Sequence, residues 1–298
     1  MLDKLKSKYA VSEHKITVDK QRDIQIAAKV FSNGKAVGVP TLLFPGGPGA
    51  GGSIYYDHIP FLIKFGPIIL IDPRGTGESD KLYPEFWDLQ HHIDDVEAVR
   101  RALNLNKFNF LGRSYGGVVA QGYALKYQKY LEKLILIVTN SDFHFLEIAE
   151  RKALALADPT LREAAMHILN GTIKDKQHMH EVFATTAPLY SMKLKNNPKP
   201  QKKLAKNPHK DFSHENLNIG FSSYLRSFEF TSQLQSIKVP TLVVGAKNDW
   251  ICDSSCSYKI AMNIENSRLI LLPGGHSLFY DCKKQYIWAI ESFLKNKL

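Results

Sequence analysis

The sequence predicts an α/β protein with a mostly parallel, doubly wound sheet, and three observations lead to that class. The chain has 298 residues, of which 44% are hydrophobic, enough for a large core. Several apolar runs are too short for helices and too continuous for half-exposed strands, which is typical of buried parallel strands. Segments with helical apolar spacing alternate with them, as in a sheet covered by helices on both faces. The predicted strands are 41–44, 67–72, 108–112, 133–139, 241–246 and 268–274.

The remaining core elements follow from local patterns. Two further β-branched runs, 14–19 and 23–31, predict an opening antiparallel strand pair. Asp253 stands directly before one helical segment, where its carboxylate is suited to cap the helix N-terminus. The predicted core helices are 89–104, 115–130, 254–264 and 283–297.

The alternation of strands and helices breaks after residue 142. Between residues 143 and 232 the pattern becomes helical, irregular and rich in lysine, before the strands resume. We therefore expect a core made of residues 1–142 and 233–298, interrupted by a cap insertion, residues 143–232, at one edge of the sheet.

Much of the net charge of +10 lies in that insertion. Residues 193–212 contain seven lysines, no arginine and a single aromatic residue. Nucleic-acid surfaces usually combine cations with arginine forks or stacking aromatics in a recognisable module. We interpret the run as a solvated, lysine-rich excursion and expect no nucleic-acid partner.

The N-terminus and the cysteines bear on location and on metals. Residues 1–20 carry charges throughout, and nowhere do about 18 uninterrupted apolar residues occur, so we expect neither export nor a membrane partner. Three cysteines fit reduced thiols in a cytoplasmic protein better than a disulfide framework. Cys252 and Cys256 could share a helix face, but two thiols without further ligands make a poor zinc site. We expect a cytoplasmic protein without a metal.

One serine lies at a glycine-rich junction between a predicted strand and a predicted helix. The five residues Gly112, Arg113, Ser114, Tyr115 and Gly116 fit the pattern G-x-S-x-G, in which a tight turn exposes a nucleophilic serine. Glycines at such a junction permit a backbone path that residues with a Cβ would resist. Ser114 is therefore the predicted nucleophile.

An aspartate and a histidine follow later strands at the same predicted edge. Asp249 comes after strand 241–246, and His276 comes after strand 268–274. Ligands of open α/β sheets bind beyond the carboxyl ends of the strands, where these residues should meet Ser114. The chain order Ser, Asp, His is the one used by α/β-hydrolases. Asp142, which follows strand 133–139, is the alternative acid.

These groups define a mechanism of acyl transfer. His276 should accept the proton of Ser114 during attack on a carbonyl, and Asp249 should orient the imidazole and stabilise its protonated form. The oxyanion needs preorganised donors. The backbone N–H of Tyr115 is one, and Gly47, or less favourably Gly46, in the loop after strand 41–44 is the other.

The segments "PGGPG", "DPRGTGES", "GRSYGG", "GAKND" and "GGHS" resemble the proline iminopeptidase family of α/β-hydrolases. The resemblance covers residues 25–142 and 235–298, and implies the α/β-hydrolase fold with Ser114, Asp249 and His276 as the triad. It implies release of an N-terminal residue, often proline, from a small-molecule or short-peptide substrate, with no metal or organic cofactor. Pro45 and Pro73 depart from the family, which has histidine and often glutamine there.

Members of that family bind the free amine of the substrate through acidic side chains of the cap. Glu215, in "SHENLNIGF", is set similarly to the family's amine-binding glutamate, but the cap holds other acids. Two alternative functions remain: a carboxylesterase or lactonase that uses the same triad, and a non-catalytic ligand receptor on this scaffold. The other cap acids are Glu147, Glu150, Glu163, Glu181 and Glu229.

Overall fold

The computed structural model describes residues 1–34, 38–196 and 211–298, and these form one eight-stranded sheet. The strand order is β1-β2-β4-β3-β5-β6-β7-β8. β2 is antiparallel to both of its neighbours, and all pairs from β4 onward are parallel. The strands are β1 (Ala10–Asp19), β2 (Ile24–Ser32), β3 (Thr41–Phe44), β4 (Ile68–Asp72), β5 (Phe108–Arg113), β6 (Leu131–Ile137), β7 (Thr241–Ala246) and β8 (Ser267–Leu272).

The helices of the described residues fall into core helices and helices between β6 and β7. The core helices are α1 (Leu2–Lys6), α2 (Ile59–Leu62), α3 (Leu89–Ala102), α4 (Tyr115–Tyr127), α10 (Ser254–Asn263), α11 (Leu278–Asp281) and α12 (Lys283–Leu294). The helices between β6 and β7 are α5 (His144–Leu154), α6 (Pro159–Asn170), α7 (Lys176–Tyr190), α8 (Met192–Asn196) and α9 (His214–Ser222).

Both faces of the sheet are buried under helices. In β3, Leu42 and Phe44 belong to one hydrophobic cluster and Leu43 to the other, because successive side chains point to opposite faces. The first cluster includes side chains of α3, α4, α10 and the cap helices, and the second includes side chains of α2, α11 and α12. The predicted doubly wound α/β class and the opening antiparallel pair are confirmed.

The helical segment between β6 and β7 leaves and rejoins the core at one point, which we call the neck. The Phe143 N–H donates to the Phe228 carbonyl (3.0 Å), and the Phe230 N–H donates to the Ser141 carbonyl (2.8 Å). Asp142 and Glu229 form the antiparallel bridge between these bonds. We keep the name cap for residues 143–232. Of the lysine-rich run 193–212, residues 197–210 lie outside the described part of the chain.

The cap packs over the loops that follow the strands. The Ser213 N–H donates to the Gly49 carbonyl (2.9 Å), and the side-chain amide of Asn216 donates to the Arg74 carbonyl (3.0 Å). Gly49 and Arg74 belong to the loops after β3 and β4. The cap therefore covers the edge of the sheet at which the parallel strands end. Within the described residues, no helix combines the length and the apolar character needed to cross a membrane.

Candidate active site

Ser114 lies at a sharp turn between β5 and α4. Its backbone has φ 55° and ψ −127°, a conformation that residues with a side chain rarely adopt. The Ser114 N–H donates to the Ile137 carbonyl (2.9 Å), and the Ser114 carbonyl accepts from the Thr139 hydroxyl (2.7 Å) and the Gly117 N–H (2.8 Å). These bonds hold the strained turn in place.

The glycines flanking Ser114 allow close contact between backbone segments. A Cβ on Gly112 would lie 2.1 Å from the Gly116 carbonyl oxygen, and a Cβ on Gly116 would lie 2.1 Å from the Phe44 carbonyl oxygen. No side chain fits at such distances, so β5, the start of α4 and the end of β3 can meet only if both residues are glycine.

The glycine-rich loop after β3 lies beside Ser114. A Cβ on Gly46 would be 3.1 Å from the Ser114 Cβ and 3.7 Å from its Oγ, and Gly47 has φ +118°. The Asp72 carboxylate accepts from the Gly52 N–H (2.6 Å) and fixes the far end of the loop. The segment carrying the predicted oxyanion donor thus borders the serine, but the choice between Gly46 and Gly47 stays a prediction.

Asp249 and His276 form a buried hydrogen-bonded pair. The His276 Nδ1 lies 2.7 Å from Asp249 Oδ2, and the residues are 4% and 1% exposed. Asp249 Oδ1 accepts from the N–H groups of Ile251 (2.9 Å) and Cys252 (3.0 Å). A carboxylate so engaged is an acceptor, so Nδ1 of His276 is the donor of this bond, and in the neutral form of the imidazole Nε2 is the acceptor nitrogen.

The loop that carries His276 is tied to the residue before Ser114. The Arg113 guanidinium donates from Nη2 to the His276 carbonyl oxygen (3.0 Å). The alternative acid, Asp142, is engaged elsewhere: its Oδ2 accepts from Lys259 Nζ (2.8 Å) and the Thr231 hydroxyl (2.6 Å) at the neck. Of the two predicted acids, the structure joins Asp249 to the histidine.

Sequence reasoning missed His92, which contacts the residue after the serine. His92 is 1% exposed, and its Nδ1 lies 2.6 Å from the Tyr115 hydroxyl. Burial lowers the pKa of His92 to about 3, with a smaller contribution from the nearby Arg74, so the ring is neutral at pH 7. The signal was present in the sequence, because His92 shares the apolar face of α3 with Leu89 and Val96.

The acidic side chains of the cap differ from the expectation of a buried amine-binding carboxylate. Glu215 is exposed in the first turn of α9. Glu150 is paired with Arg226, at 3.3 Å between Oε1 and Nη1. The other cap acids named above are exposed: Glu147, Glu163, Glu181 and Glu229. Amine binding by Glu215 stays a prediction, and its exposure gives that role no support.

The three cysteine thiols are not part of any metal-binding cluster in the part of the chain that the structure describes. Cys252, Cys256 and Cys282 are free and buried, and burial raises the pKa of each thiol. Within the described ranges, no group of three or more His, Cys, Asp or Glu side chains is arranged to hold a metal ion.

The chain belongs to the α/β-hydrolase fold family, whose sequence pattern matches residues 40–282. Within that class it resembles proline iminopeptidases, as the sequence motifs predict. It is 29% identical over 234 residues to the proline iminopeptidase PfmaB of Pestalotiopsis fici, covering 76% of this chain and 81% of that protein. It is 28% identical over 279 residues to the proline iminopeptidase of Lactobacillus helveticus, covering 86% and 89% of the two chains.

A solved structure extends the likeness of fold to another kind of hydrolase. The esterase EaEST of Exiguobacterium antarcticum superposes with a TM-score of 0.74 at 24% sequence identity, covering 94% of this chain and 98% of that one. At this identity the superposition supports the fold alone.

Proposed function

We propose that this protein is a serine hydrolase in which Ser114 is the nucleophile, His276 the general base and Asp249 the residue that orients the histidine. The observation that carries the proposal is the buried 2.7 Å contact between His276 Nδ1 and Asp249 Oδ2, in a loop tied to Arg113. The Nδ1–H of the imidazole donates a hydrogen bond to the carboxylate and keeps its proton, so Nε2 of the neutral ring has the lone pair that a general base needs.

The reaction proceeds in two acyl-transfer steps. Ser114 Oγ attacks the substrate carbonyl as its proton moves to His276, and the protonated imidazole then gives that proton to the leaving group. In the second step, water attacks the acyl-enzyme as its proton moves to His276, and the imidazole then returns a proton to Ser114 Oγ as the acid product leaves. The developing oxyanion is stabilised by the N–H of Tyr115, at the start of α4, and by the N–H of Gly47.

The first candidate substrate is a peptide or arylamide with a free N-terminal residue, often proline. Support comes from the two proline iminopeptidases that are 28–29% identical over most of both chains. Glu215 is the proposed ligand of the substrate amine. The reaction needs neither a metal nor an organic cofactor, since every step uses side-chain and backbone groups.

The second candidate substrate is an ester or lactone with an uncharged acyl group. The observation that favours it is the exposure of Glu215 and most other cap acids, because recognition of an ammonium group is strong where the carboxylate is desolvated. An uncharged acyl group needs no such partner.

A side-by-side assay decides between these candidates. Prolyl-arylamide, its N-acetylated form and a short-chain nitrophenyl ester are compared by kcat/KM, with Ser114→Ala as the blank. An aminopeptidase prefers the free amine over the acetylated amide, and equal rates on both would remove that candidate. If a fluorophosphonate probe fails to label Ser114 in the folded protein, a non-catalytic receptor becomes the better proposal.

A further inference from the structure

The segment of the cap that joins α7 to α8 is packed directly on the loop that carries His276. The Ser277 N–H donates to the Tyr190 carbonyl (2.7 Å), and the Tyr190 ring lies edge-on to the His276 imidazole, with 5.6 Å between centroids. A Cβ on Gly275 would lie 2.7 Å from the same Tyr190 carbonyl oxygen. The cap thus touches the chain on both sides of His276.

One carboxylate, that of Asp281, joins the two segments. Its Oδ2 accepts from the Gly275 N–H (2.8 Å) and the Met192 N–H (3.0 Å). Its Oδ1 accepts from the Ser191 hydroxyl (2.5 Å) and the Lys193 N–H (3.3 Å). We call this arrangement the Asp281 bridge: one donor comes from the residue before His276 and the others come from the cap.

The loop needs such an external support because of its sequence. Gly274 and Gly275 precede His276, and glycine restricts the backbone less than any other residue. The bond between Asp249 and His276 Nδ1 fixes the imidazole ring at one atom, and Arg113 binds the carbonyl oxygen of His276 itself. The Ser277 N–H is held by the Tyr190 carbonyl and the Gly274 carbonyl by the Asn248 N–H (3.0 Å), and the N–H of Gly275, directly before His276, is held by Asp281.

A parallel contact ties the cap to the loop of the acid. Lys152, on α5, donates from Nζ to the Asp249 carbonyl (2.7 Å) and pairs with the Asp253 carboxylate. The loops that carry Asp249 and His276 are therefore both held through backbone groups by residues of the cap. The cap is part of the support of the pair as well as a cover over it.

We infer that Asp281 is a positioning residue, whose bridge to the cap sets the orientation of His276 toward Ser114. The inference rests on the proposed role of His276 as the base for Ser114. A displacement of about 1 Å in a reacting group can lower a rate by roughly a hundredfold. Loss of the bridge removes the acceptor of the Gly275 N–H and should slow proton transfer from Ser114 without removing the catalytic groups.

The test is the kinetics of fluorophosphonate labelling, which needs His276 and Ser114 but no knowledge of the substrate. For Asp281→Ala we expect labelling of the folded protein to full extent with a rate constant lower by about 10–100-fold. Ser191→Ala, which removes one donor from the cap side, should give a smaller decrease. With a nitrophenyl ester, the Asp281 variant should lower kcat and leave KM within about twofold.

Asp158→Ala is the matched control. The Asp158 carboxylate accepts from the N–H groups of Thr160 (2.9 Å) and Leu161 (3.3 Å) at the N-terminus of α6, within the same cap. Its substitution should leave the labelling rate constant unchanged. An Asp281→Ala protein with lower extent but the wild-type rate constant would show a purely structural role and overturn the inference. So would full labelling at the wild-type rate. Absence of labelling in the wild type would contradict the proposed function itself.

Discussion

Ser114 has a strained backbone that is held in place by other residues. The turn is held by bonds from the peptide groups of Ile137 and Gly117 and from the Thr139 hydroxyl. Replacement of Ser114 by alanine should therefore leave the turn intact while removing the proposed nucleophile. The variant is a clean test of chemistry because its fold has no reason to change.

Ser114→Ala and His276→Ala should each lower kcat/KM by roughly 10⁴-fold or more on any substrate that is turned over. The double variant should lose little beyond either single one, since the two residues act as a unit. Steady-state kinetics on the best substrate, with circular dichroism as the check of folding, provide the measurement. Substantial turnover by Ser114→Ala would contradict covalent catalysis.

Substitutions of Asp249 and Asp142 should have opposite effects on catalysis and on stability. Asp249→Asn should lower kcat by roughly 10³–10⁴-fold, because the amide no longer fixes the proton-bearing Nδ1 of His276. Asp142→Asn should instead lower the melting temperature with little effect on kcat, since its oxygens bind Lys259 and Thr231 at the neck. A larger loss of kcat in the Asp142 variant would reverse the assignment of the acid.

Glu215→Gln tests the proposed amine ligand. Because the side chain is exposed, the expected loss is about 0.2–1 kcal/mol, up to roughly fivefold in kcat/KM, and restricted to substrates with a free amine. The rate on nitrophenyl esters should not change. Glu181→Gln, a change at another exposed glutamate of the cap, is the control. Matching effects of both changes on free-amine substrates would remove Glu215 from the site.

Sequence reasoning could point to the proposed catalytic side chains, but not to the residues that contact them. Ser114, Asp249 and His276 follow strands of one parallel sheet, and strand ends can be recognised from local apolar runs. His92, Asp281 and Tyr190 lie in helices or at helix ends and meet the site only through tertiary packing. No local pattern predicts which helical residue faces which loop.

At the scale of elements, every predicted strand is present, because each is a compact run bounded by turn residues. The bounds differ in places: β6 ends at Ile137 and β8 at Leu272, two residues before the predicted ends. Asp253 caps α10 as predicted, accepting from the Ser255 N–H (2.9 Å). The helix ends were less predictable. The predicted helices extend to residues 104 and 297, whereas α3 ends at Ala102 and α12 at Leu294. Helix ends depend on capping partners that come from distant parts of the chain.

One such partner is Lys133, a buried cation on β6 that caps the end of α12. Its Nζ donates to the carbonyl oxygens of Phe293 (2.7 Å) and Leu294 (3.0 Å) and to Asn296 Oδ1 (2.7 Å). A cation at a helix C-terminus is favoured by the helix dipole, and hydrogen bonds to a charged donor are among the stronger ones. Lys133 thus fastens the last helix to a central strand.

Lys133→Met should lower the free energy of unfolding by about 1–3 kcal/mol, measured by urea denaturation. Lys238→Met is the control, because Lys238 is 65% exposed in its ion pair with Glu265 and should contribute less than about 0.5 kcal/mol. Equal effects of the two substitutions would mean that the bonds from Lys133 to the end of α12 contribute no more to stability than a surface ion pair.

At the scale of the whole molecule, buried neutral histidines should make the fold sensitive to acid. His58 lies among the rings of Tyr55, Phe61, Phe279 and Tyr286, and its Nε2 lies 3.1 Å from the Tyr286 hydroxyl. Burial lowers the pKa of His58 from 6.5 to about 3, with smaller contributions from the nearby charges of two basic residues, Arg113 and Lys283. The unfolded chain binds a proton below pH 6.5 that the native state does not accept.

Stability should therefore fall as the pH drops below 6.5, and it should be fully retained above that pH as far as this group is concerned. At pH 5 the cost for His58 is about 2 kcal/mol. The free energy of unfolding of His58→Gln should thus decline less than that of the wild type between pH 7.5 and 5, by that amount. Parallel pH profiles for the two proteins would contradict the prediction.

The neck makes the cap an insertion whose two ends lie side by side, whatever length of chain connects them. Closing a longer loop costs only about 0.6 kcal/mol per doubling of its length. The residues that pair β6 with β7, from Leu134 with Thr241 to Ile137 with Val244, lie outside the segment between the two ends of the neck. A cap of another size could therefore be transplanted onto this sheet without shifting the strand register. A transplanted cap must supply new donors for the carboxylate of Asp281 and for the carbonyl oxygen of Asp249, which Lys152 of the present cap binds.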